Sequence, residues 1–377
     1  MDFVNLNTNK VLFLSLSRAR SLKVLLLSMD VLEEIRMVLK KARNISFALF
    51  LLFMGVMGVT PSLASDLPSF SGATGWINSP PLTDASLRGK VVLIDFWEYT
   101  CVNCVRTFPV LKRWYRSYGP KGLVLIGIHT PEFSFARKKN HVAYAVRKYH
   151  LEYPVAIDSD RRLWDRFHNH YWPAQYLFDR KGKLIFHTIG EGDDERMEAA
   201  IREAIGVGAK AVEPSPAPDF PESMTPELYA GTERQSLSPP PGFVSGEPFA
   251  FPKGPVVSDN INLSGSWIST AEYVRPVFSG GHPELTLPYH AAGVRCVLRH
   301  EKGAKPVRIL VFQDGKPVSK KVSGEDIRYD RKGDSYLLLG APRMYTLISH
   351  QSFGGHTLTL VPTGPAVRIY SFTFDPT

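Results

Sequence analysis

The chain has 377 residues, of which 44% are hydrophobic and 21% charged, as in ordinary globular proteins, and it is long enough for two domains. Its net charge of +9 is not gathered into an arginine-rich stripe with interleaved aromatic residues, so nothing in the sequence favours nucleic-acid binding. Its three cysteines are too few for a disulfide-stapled scaffold.

The first 64 residues are predicted to form an N-terminal extension followed by an export signal. Basic residues at 40–43 precede an uncharged apolar stretch at 45–59, and a small-x-small cleavage site ends at Ala64. The signal is expected to occupy 37–64, which places the following domains in the periplasm or another extracytoplasmic space. Uncleaved, the same segment would be a membrane anchor, and no other membrane contact is expected.

Residues 65–210 are predicted to form an α/β domain. Apolar runs predict strands at 91–97, 123–129 and 153–157, and amphipathic patterns predict helices at 105–118, 133–149 and 161–167. A hairpin at 175–178 and 184–189 and a closing helix at 193–205 follow. This order predicts a mixed sheet covered on both faces.

The texture of the sequence changes after residue 210. Frequent prolines predict a stiff linker at 211–245, with a short docked helix at 226–231. From 246 to 377 short apolar segments alternate with turn signals and lack helical periodicity. This pattern predicts an all-β jelly-roll sandwich.

Two cysteines lie where the strand at 91–97 gives way to a helix. The helix dipole and the free N–H groups at that point favour a thiolate at Cys101. A thiolate with a second thiol three residues on, at Cys104, can attack a disulfide and then be released by its neighbour. Zinc would need two further ligands, and the remaining cysteine, Cys296, is predicted to be buried in a strand of the other domain. No metal and no cofactor is predicted.

The segment from Val92 to Cys104 resembles the thioredoxin-superfamily signature, which implies a thioredoxin-like fold for the first domain. The resemblance implies that Asp95 is a buried acid that takes the proton from Cys104 as that thiol becomes the resolving nucleophile. It also implies that Trp172-Pro173 is the cis-proline loop, which pairs with a substrate peptide near the sulfurs.

The sequence departs from thioredoxin next to the first cysteine. Thr100 replaces a tryptophan, and Val102-Asn103 replaces Gly-Pro between the cysteines, so thioredoxin's reduction potential cannot be transferred to this chain. The predicted catalytic residues are Cys101, Cys104 and Asp95. The predicted substrate-binding residues are Trp172, Pro173, Thr100, Val102 and Asn103.

A narrower resemblance covers most of the chain beyond the predicted signal. Residues 101–109, 127–133, 171–174 and 190–193 resemble the thioredoxin-like part of DipZ-type proteins, and 263–267 and 370–374 resemble the sandwich that follows it, which is similar to a carbohydrate-binding module. The resemblance implies an extracytoplasmic thiol–disulfide oxidoreductase of the protein-disulfide reductase type. Its implied partners are protein disulfides as substrates and a CcdA- or DsbD-like membrane protein as electron donor.

Two other functions remain open. The first is a peroxiredoxin-like thiol peroxidase, since the chain also resembles TlpA-like and AhpC/TSA-like redoxins. Peroxiredoxins carry the motif P-x-x-x-T-x-x-C. This chain has Ile94 and Glu98 in place of the proline and the threonine. Alternatively, the sandwich would bind a glycan or a partner and the dithiol would be secondary. Replacing both Cys101 and Cys104 with serine separates this binding role from the oxidoreductase function, because unchanged biological activity would favour binding.

Overall fold

The computed structural model describes residues 67–208, 220–234, 236–237, 242–279 and 281–376. The predicted signal at 37–64 lies outside the described residues. Within the described ranges, no helix combines the length and the apolar character needed to cross a bilayer.

Six strands build the first sheet, and their order and direction confirm the predicted mixed sheet. They are β1 (Gly75–Ile77), β2 (Val91–Trp97), β3 (Leu123–His129), β4 (Val155–Ile157), β5 (Ala174–Phe178) and β6 (Leu184–Ile189). The order across the sheet is β1-β4-β3-β2-β5-β6. β2, β3 and β4 run parallel, whereas β5 is antiparallel to β2 and to β6. β2 is therefore central, and every one of its residues is buried.

The helices of this domain are α1 (Asp84–Leu87), α2 (Val102–Tyr118), α3 (Lys139–Lys148), α4 (Arg162–Arg166) and α5 (Asp194–Ile205). α2 begins three residues before the predicted start. The single helix predicted at 133–149 is wrong: a 3₁₀ turn at Ser134–Arg137 precedes α3, because the backbone of Lys138 is extended (φ −81°, ψ 120°).

Apolar side chains cover both faces of the first sheet. On one face Trp97 packs with α2 through Phe108 and Trp114. On the other face Phe96 packs with Trp164 of α4. The central strand is thus held between two apolar layers, which fixes the position of the turn that follows it.

The remaining strands form an antiparallel sheet, which confirms an all-β second domain. They are β7 (Leu228–Tyr229), β8 (Pro248–Phe251), β9 (Asn262–Ser269), β10 (Val274–Pro276), β11 (Glu284–His300), β12 (Arg308–Gln313), β13 (Lys316–Pro317), β14 (Ile327–Tyr329), β15 (Ser335–Leu338), β16 (Arg343–Pro362) and β17 (Val367–Asp375). The two long strands, β11 and β16, pair along most of their length, with register shifts around Gly293.

β11 pairs with different strands along its length. The first part of β11 pairs with β9, at Glu284–Thr286, and its second part pairs with β17, at Gly293–His300. β10 connects β17 back to β9. The sheet therefore curls on itself, and its strands enclose a separate apolar core that includes Trp267 and Leu287.

The helix predicted at 226–231 is wrong, because this segment contains β7. Leu228 and Tyr229 pair with Phe372 and Ser371 of β17, and the Ala230 N–H donates to the Tyr370 carbonyl. Leu228 and Ala230 are both buried, the alternation expected of a strand rather than a helix. The predicted linker thus contributes a strand to the second sheet.

The two domains share buried contacts. Ser65–Thr377 forms one compact unit, and Val297, Met344 and Tyr370 of the second sheet belong to the same apolar cluster as Phe135 of the first domain. The Tyr370 ring packs edge-on against Phe135 with a centroid distance of 4.8 Å. The second sheet is therefore docked firmly against the first domain.

Candidate functional site

Cys101 lies at the N-terminus of α2. Its backbone is extended (φ −82°, ψ 110°), and its sulfur accepts a hydrogen bond from the Cys104 N–H at 3.2 Å. The two cysteines form a disulfide, with their Cα atoms 5.3 Å apart. Cys101 is half-buried and Cys104 is fully buried. Because the helix N-terminus supplies donors to the Cys101 sulfur, reduction would leave the negative charge most favourably at Cys101.

Asp95 is completely buried in β2, as predicted. It lies opposite Gln175 of β5 and beside Gly127 of β3. Burial raises the pKa of its carboxyl to about 7, and the Gln175 side chain opposes part of that rise. A carboxyl with this pKa gains and loses a proton close to neutral pH, as a proton relay requires.

The Trp172–Pro173 peptide bond is cis, which confirms the predicted conformation. The Pro173 carbonyl accepts the Gly190 N–H at 2.9 Å. Ala174, the next residue, pairs with Phe96 near the end of β2. Because β5 begins where β2 ends, the cis-proline and the cysteine turn lie at the same edge of the sheet.

The five predicted substrate-binding residues differ in accessibility. Trp172 and Asn103 are half-buried, whereas Pro173, Thr100 and Val102 are buried. The Thr100 N–H and hydroxyl both donate to one oxygen of the Glu98 carboxyl, so this side chain is already engaged within the protein. The substrate-binding roles of all five remain predictions.

Glu98 and His129 form a buried polar pair that the sequence pattern did not predict. Both side chains are fully buried, and the Glu98 Oε1 lies 3.6 Å from the His129 Nε2. The Tyr99 ring stacks on His129 at 5.3 Å between centroids. The available sequence signal was an acidic residue, Glu98, directly after an apolar strand, together with a histidine, His129, at the end of the next strand. The pair lies in the segment that leads directly into Cys101.

Arg106 is a second residue that sequence reasoning missed. It lies on α2, two residues after Cys104, and its guanidinium donates to Asn103 Oδ1 at 2.7 Å. The same group forms ion pairs with Glu191 at 2.8 Å and with Asp375 at 2.6 Å. Asp375 belongs to β17, so the second domain reaches the dithiol turn through Arg106.

Other contacts from the second half of the chain reach the loop after β3. Glu132 accepts hydrogen bonds from Arg234 at 2.6 Å and from the Tyr229 hydroxyl at 3.2 Å. The hydroxyl of Ser134 donates to Glu272 at 2.6 Å. Because β3 and β2 are parallel neighbours, this loop and the cysteine turn lie at the same edge of the sheet.

Known families match both halves of the chain. Residues 63–187 match the AhpC/TSA family, and residues 225–375 match the family described as thioredoxin like C-terminal domain. The chain thus combines one domain that matches the AhpC/TSA family with a second that matches the thioredoxin like C-terminal domain. The second match begins before residue 228, in agreement with the place of β7 in the second sheet.

Several curated proteins are similar to this chain. Protein DipZ of Mycobacterium tuberculosis is 31% identical over 318 residues, which cover 81% of this chain and 42% of DipZ. The thiol-disulfide oxidoreductase YkuV of Bacillus subtilis is 24% identical over 143 residues, 38% of this chain and 96% of YkuV. The thiol-disulfide oxidoreductase ResA of Bacillus thuringiensis is 30% identical over 116 residues, 31% of this chain and 64% of ResA. The chain thus spans less than half of DipZ.

Proposed function

We propose that this protein is an extracytoplasmic thiol–disulfide oxidoreductase that reduces protein disulfides with the Cys101/Cys104 dithiol. The observation that carries the proposal is that Cys101, a half-buried residue at the N-terminus of α2, forms a disulfide with the fully buried Cys104. A partly accessible cysteine and a buried one suit an attacking and a resolving thiol. The similarity to YkuV and ResA, both named thiol-disulfide oxidoreductases, supports the same chemistry.

The reaction proceeds in two exchanges. The Cys101 thiolate attacks one sulfur of a substrate disulfide, forming a mixed disulfide and releasing the other substrate sulfur as a thiolate. The Cys104 thiol gives up its proton, with Asp95 as the proposed acceptor, and attacks the Cys101 sulfur. The two substrate thiolates take up protons, from Asp95 and from water, and the substrate leaves as a dithiol with the two electrons. The protein, which has given up those electrons, is left with the Cys101–Cys104 disulfide.

The substrate is proposed to approach along the cis-proline. Trp172 is half-buried and Tyr171 is 56% exposed, so an accessible aromatic surface precedes Pro173. Ile189, which pairs with Ala174 across the hairpin, is 55% exposed. An extended peptide placed beside these residues would have apolar contacts close to the dithiol.

The test measures reduction of a disulfide-containing protein such as insulin by the reduced full chain. The wild type should turn over in the presence of a thiol donor, Cys101→Ser should be inactive, and Cys104→Ser should stop as a trapped mixed disulfide. Cys296→Ala is the matched control, because Cys296 is a buried free thiol of the second domain and should not matter. Reduction that persists in Cys101→Ser would refute the proposal.

The location and the electron donor form a separate part of the proposal. The predicted signal at 37–64 supports export, and the resemblance to DipZ-type proteins supports a CcdA- or DsbD-like membrane donor. Alkylation of free thiols in cell fractions would test both. In the extracytoplasmic fraction the dithiol should be reduced, and it should become oxidised when the donor is deleted. A chain recovered in the cytoplasm, or a redox state indifferent to the donor, would contradict this part.

The peroxidase alternative has less support at the same site. The peroxiredoxin motif requires a proline and a threonine where this chain has Ile94 and Glu98. Ile94 is fully buried in β2, and Glu98 accepts hydrogen bonds from Thr100. Consumption of hydrogen peroxide by Cys104→Ser, in which Cys101 is the remaining cysteine of the pair, would favour this alternative instead. We expect Cys104→Ser to react with hydrogen peroxide no faster than an ordinary thiol does.

A further inference from the structure

The guanidinium of Arg106 links the residue between the two cysteines to the end of the second domain. Its Nη2 donates to Asn103 Oδ1 at 2.7 Å, and its Nη1 bonds to Asp375 at 2.6 Å. Asn103 lies three residues before Arg106, so both side chains occupy the same face of the first turns of α2. Arg106 thereby connects a residue of β17 to the side chain of Asn103.

Four charges meet at this point. Arg106 pairs with Glu191 and Asp375, and Asp375 also pairs with Arg295 of β11 at 3.0 Å. The carboxylates are mostly buried, since the side chains of Glu191 and Asp375 are only 9% and 10% exposed. Two positive and two negative charges balance, and such shielded charges act on their neighbours more strongly than charges on an exposed surface.

Gly293 leaves space for the side chain of Asp375. A Cβ atom on Gly293 would lie 2.7 Å from Asp375 Oδ2, so the absence of a side chain there makes room for the carboxylate. On the other side, the Phe220 ring lies under the Arg106 guanidinium at 5.8 Å. Gly293 of the second domain and Phe220 of the predicted linker thus confine the pair.

We propose that Asp375 is a positioning residue of the redox site: through Arg106 it holds Asn103 and sets the reduction potential of the Cys101/Cys104 couple. The inference rests on the proposed oxidoreductase function and deepens it. The second domain would then be part of the redox site, and the potential would depend on its being docked.

The sign of the effect follows from the charges. A positive charge near α2 stabilises the Cys101 thiolate, hence the reduced protein, and makes the couple more oxidising. Asp375→Asn removes a negative charge and should raise the potential, whereas Arg106→Gln removes a positive charge and should lower it. Opposite shifts from two partners of one contact would not arise from general loosening of the structure.

The experiment equilibrates the full chain with glutathione buffers and measures the fraction of reduced Cys101/Cys104 by alkylation. In Asp375→Asn the equilibrium constant for reduction should rise about threefold to tenfold, the size expected for the loss of one partly shielded charge. Asp375→Glu should return it to the wild-type value. Glu301→Gln is the matched control, since it removes one carboxylate from an ion pair with Arg368 that is 48% exposed on the Glu301 side. It should leave the constant unchanged.

A second variant keeps the test decisive if Asp375→Asn does not fold. Arg295→Gln changes only a residue of β11 that pairs with Asp375, and it should lower the constant, because the freed carboxylate then acts fully on Arg106. Folded variants with an unchanged constant would overturn the inference while the proposed function stands. Failure of the wild-type couple to exchange with glutathione at all would refute both.

Discussion

Asp95 lies directly opposite Gln175 in the pairing of β2 with β5, and both side chains are buried. Burial raises the pKa of Asp95 to about 7, against 3.8 for a free side chain, and Gln175 offsets only part of this. The folded chain therefore holds a proton that the unfolded chain releases between these two pH values. This arrangement makes the acid both a source of instability and a proton carrier.

The first prediction is that Asp95→Asn stabilises the oxidised protein at high pH. Since the folded pKa is raised, stability of the wild type falls as the pH rises from about 4 through about 7. Asparagine carries no charge, so the variant should escape this loss. The gain in the free energy of unfolding should be on the order of 4 kcal/mol at pH 8 and small near pH 4, measured by urea unfolding.

Asp160→Asn serves as the control for that prediction. Asp160 is exposed, so its substitution should change the free energy of unfolding by about 0.5 kcal/mol or less at both pH values. Equal unfolding free energies for wild type and Asp95→Asn at pH 8 would mean that Asp95 is not held in the environment described here.

The second prediction concerns the buried carboxylate of Glu98. Its Oε2 accepts both the N–H and the hydroxyl of Thr100, immediately before Cys101. Glu98→Ala leaves both donors without this partner and should lower the free energy of unfolding by about 2–4 kcal/mol, since unpaired buried polar groups are costly. Glu98→Gln retains an acceptor oxygen and should lose less. Denaturant unfolding of both oxidised variants checks the order, and equal losses would contradict it.

The dithiol site could be predicted because most of it is local in sequence. Cys101, Cys104 and Asp95 belong to one strand–turn–helix unit, whose apolar run and following amphipathic pattern indicate both burial and the helix N-terminus. The cis-proline could be predicted because the sequence resembles the thioredoxin superfamily. By contrast, Arg106 and Asp375 are 269 residues apart, and their contact depends on how two domains dock. No local periodicity carries that information.

The second domain shows the same limit. Its all-β character was predictable from short apolar segments. Two of these segments, 344–348 and 356–361, each predict a separate strand, which is wrong because both belong to one continuous strand, β16. Gly354 and Gly355 lie between them and suggest a turn in the sequence, yet both residues pair with β11. A glycine pair is compatible with either a turn or a bent strand, and the partner strand decides between them.

The third prediction is that the docking of the two domains depends on Tyr370. Its ring is fully buried and contacts Phe135 and Phe133 of the first domain at 4.8 and 5.1 Å between centroids. Tyr370→Ala should lower the free energy of unfolding by about 3–5 kcal/mol, as for other large buried aromatic side chains. Tyr171→Ala is the control, since Tyr171 is 56% exposed, and it should cost about 0.5 kcal/mol or less. Similar losses in the two variants would contradict the docking.

The fourth prediction tests the tight packing of the central strands around Asp95. Gly127 of β3 pairs with Asp95, and a Cβ atom there would lie 2.8 Å from Trp97 Nε1 and 3.0 Å from Tyr153 Cε2. Both of these neighbours are fully buried, so neither ring can move away without disturbing the core. Gly127→Ala should therefore lower the free energy of unfolding by about 1–3 kcal/mol, measured by denaturant unfolding.

Gly75→Ala provides the matched control for this substitution. Gly75 lies in β1 of the same sheet, and an added Cβ atom there would meet its nearest neighbours, side-chain atoms of Ile157 and Lys139, at 3.5 Å, an ordinary contact distance. It should be neutral or stabilise the protein by up to about 1 kcal/mol, because alanine restricts the unfolded chain more than glycine does. Both substitutions add one methyl group to a strand of the first sheet, and they differ in the space around that group. If Gly127→Ala were as stable as Gly75→Ala, the strands beside Asp95 would be packed more loosely than the contacts at Trp97 and Tyr153 require.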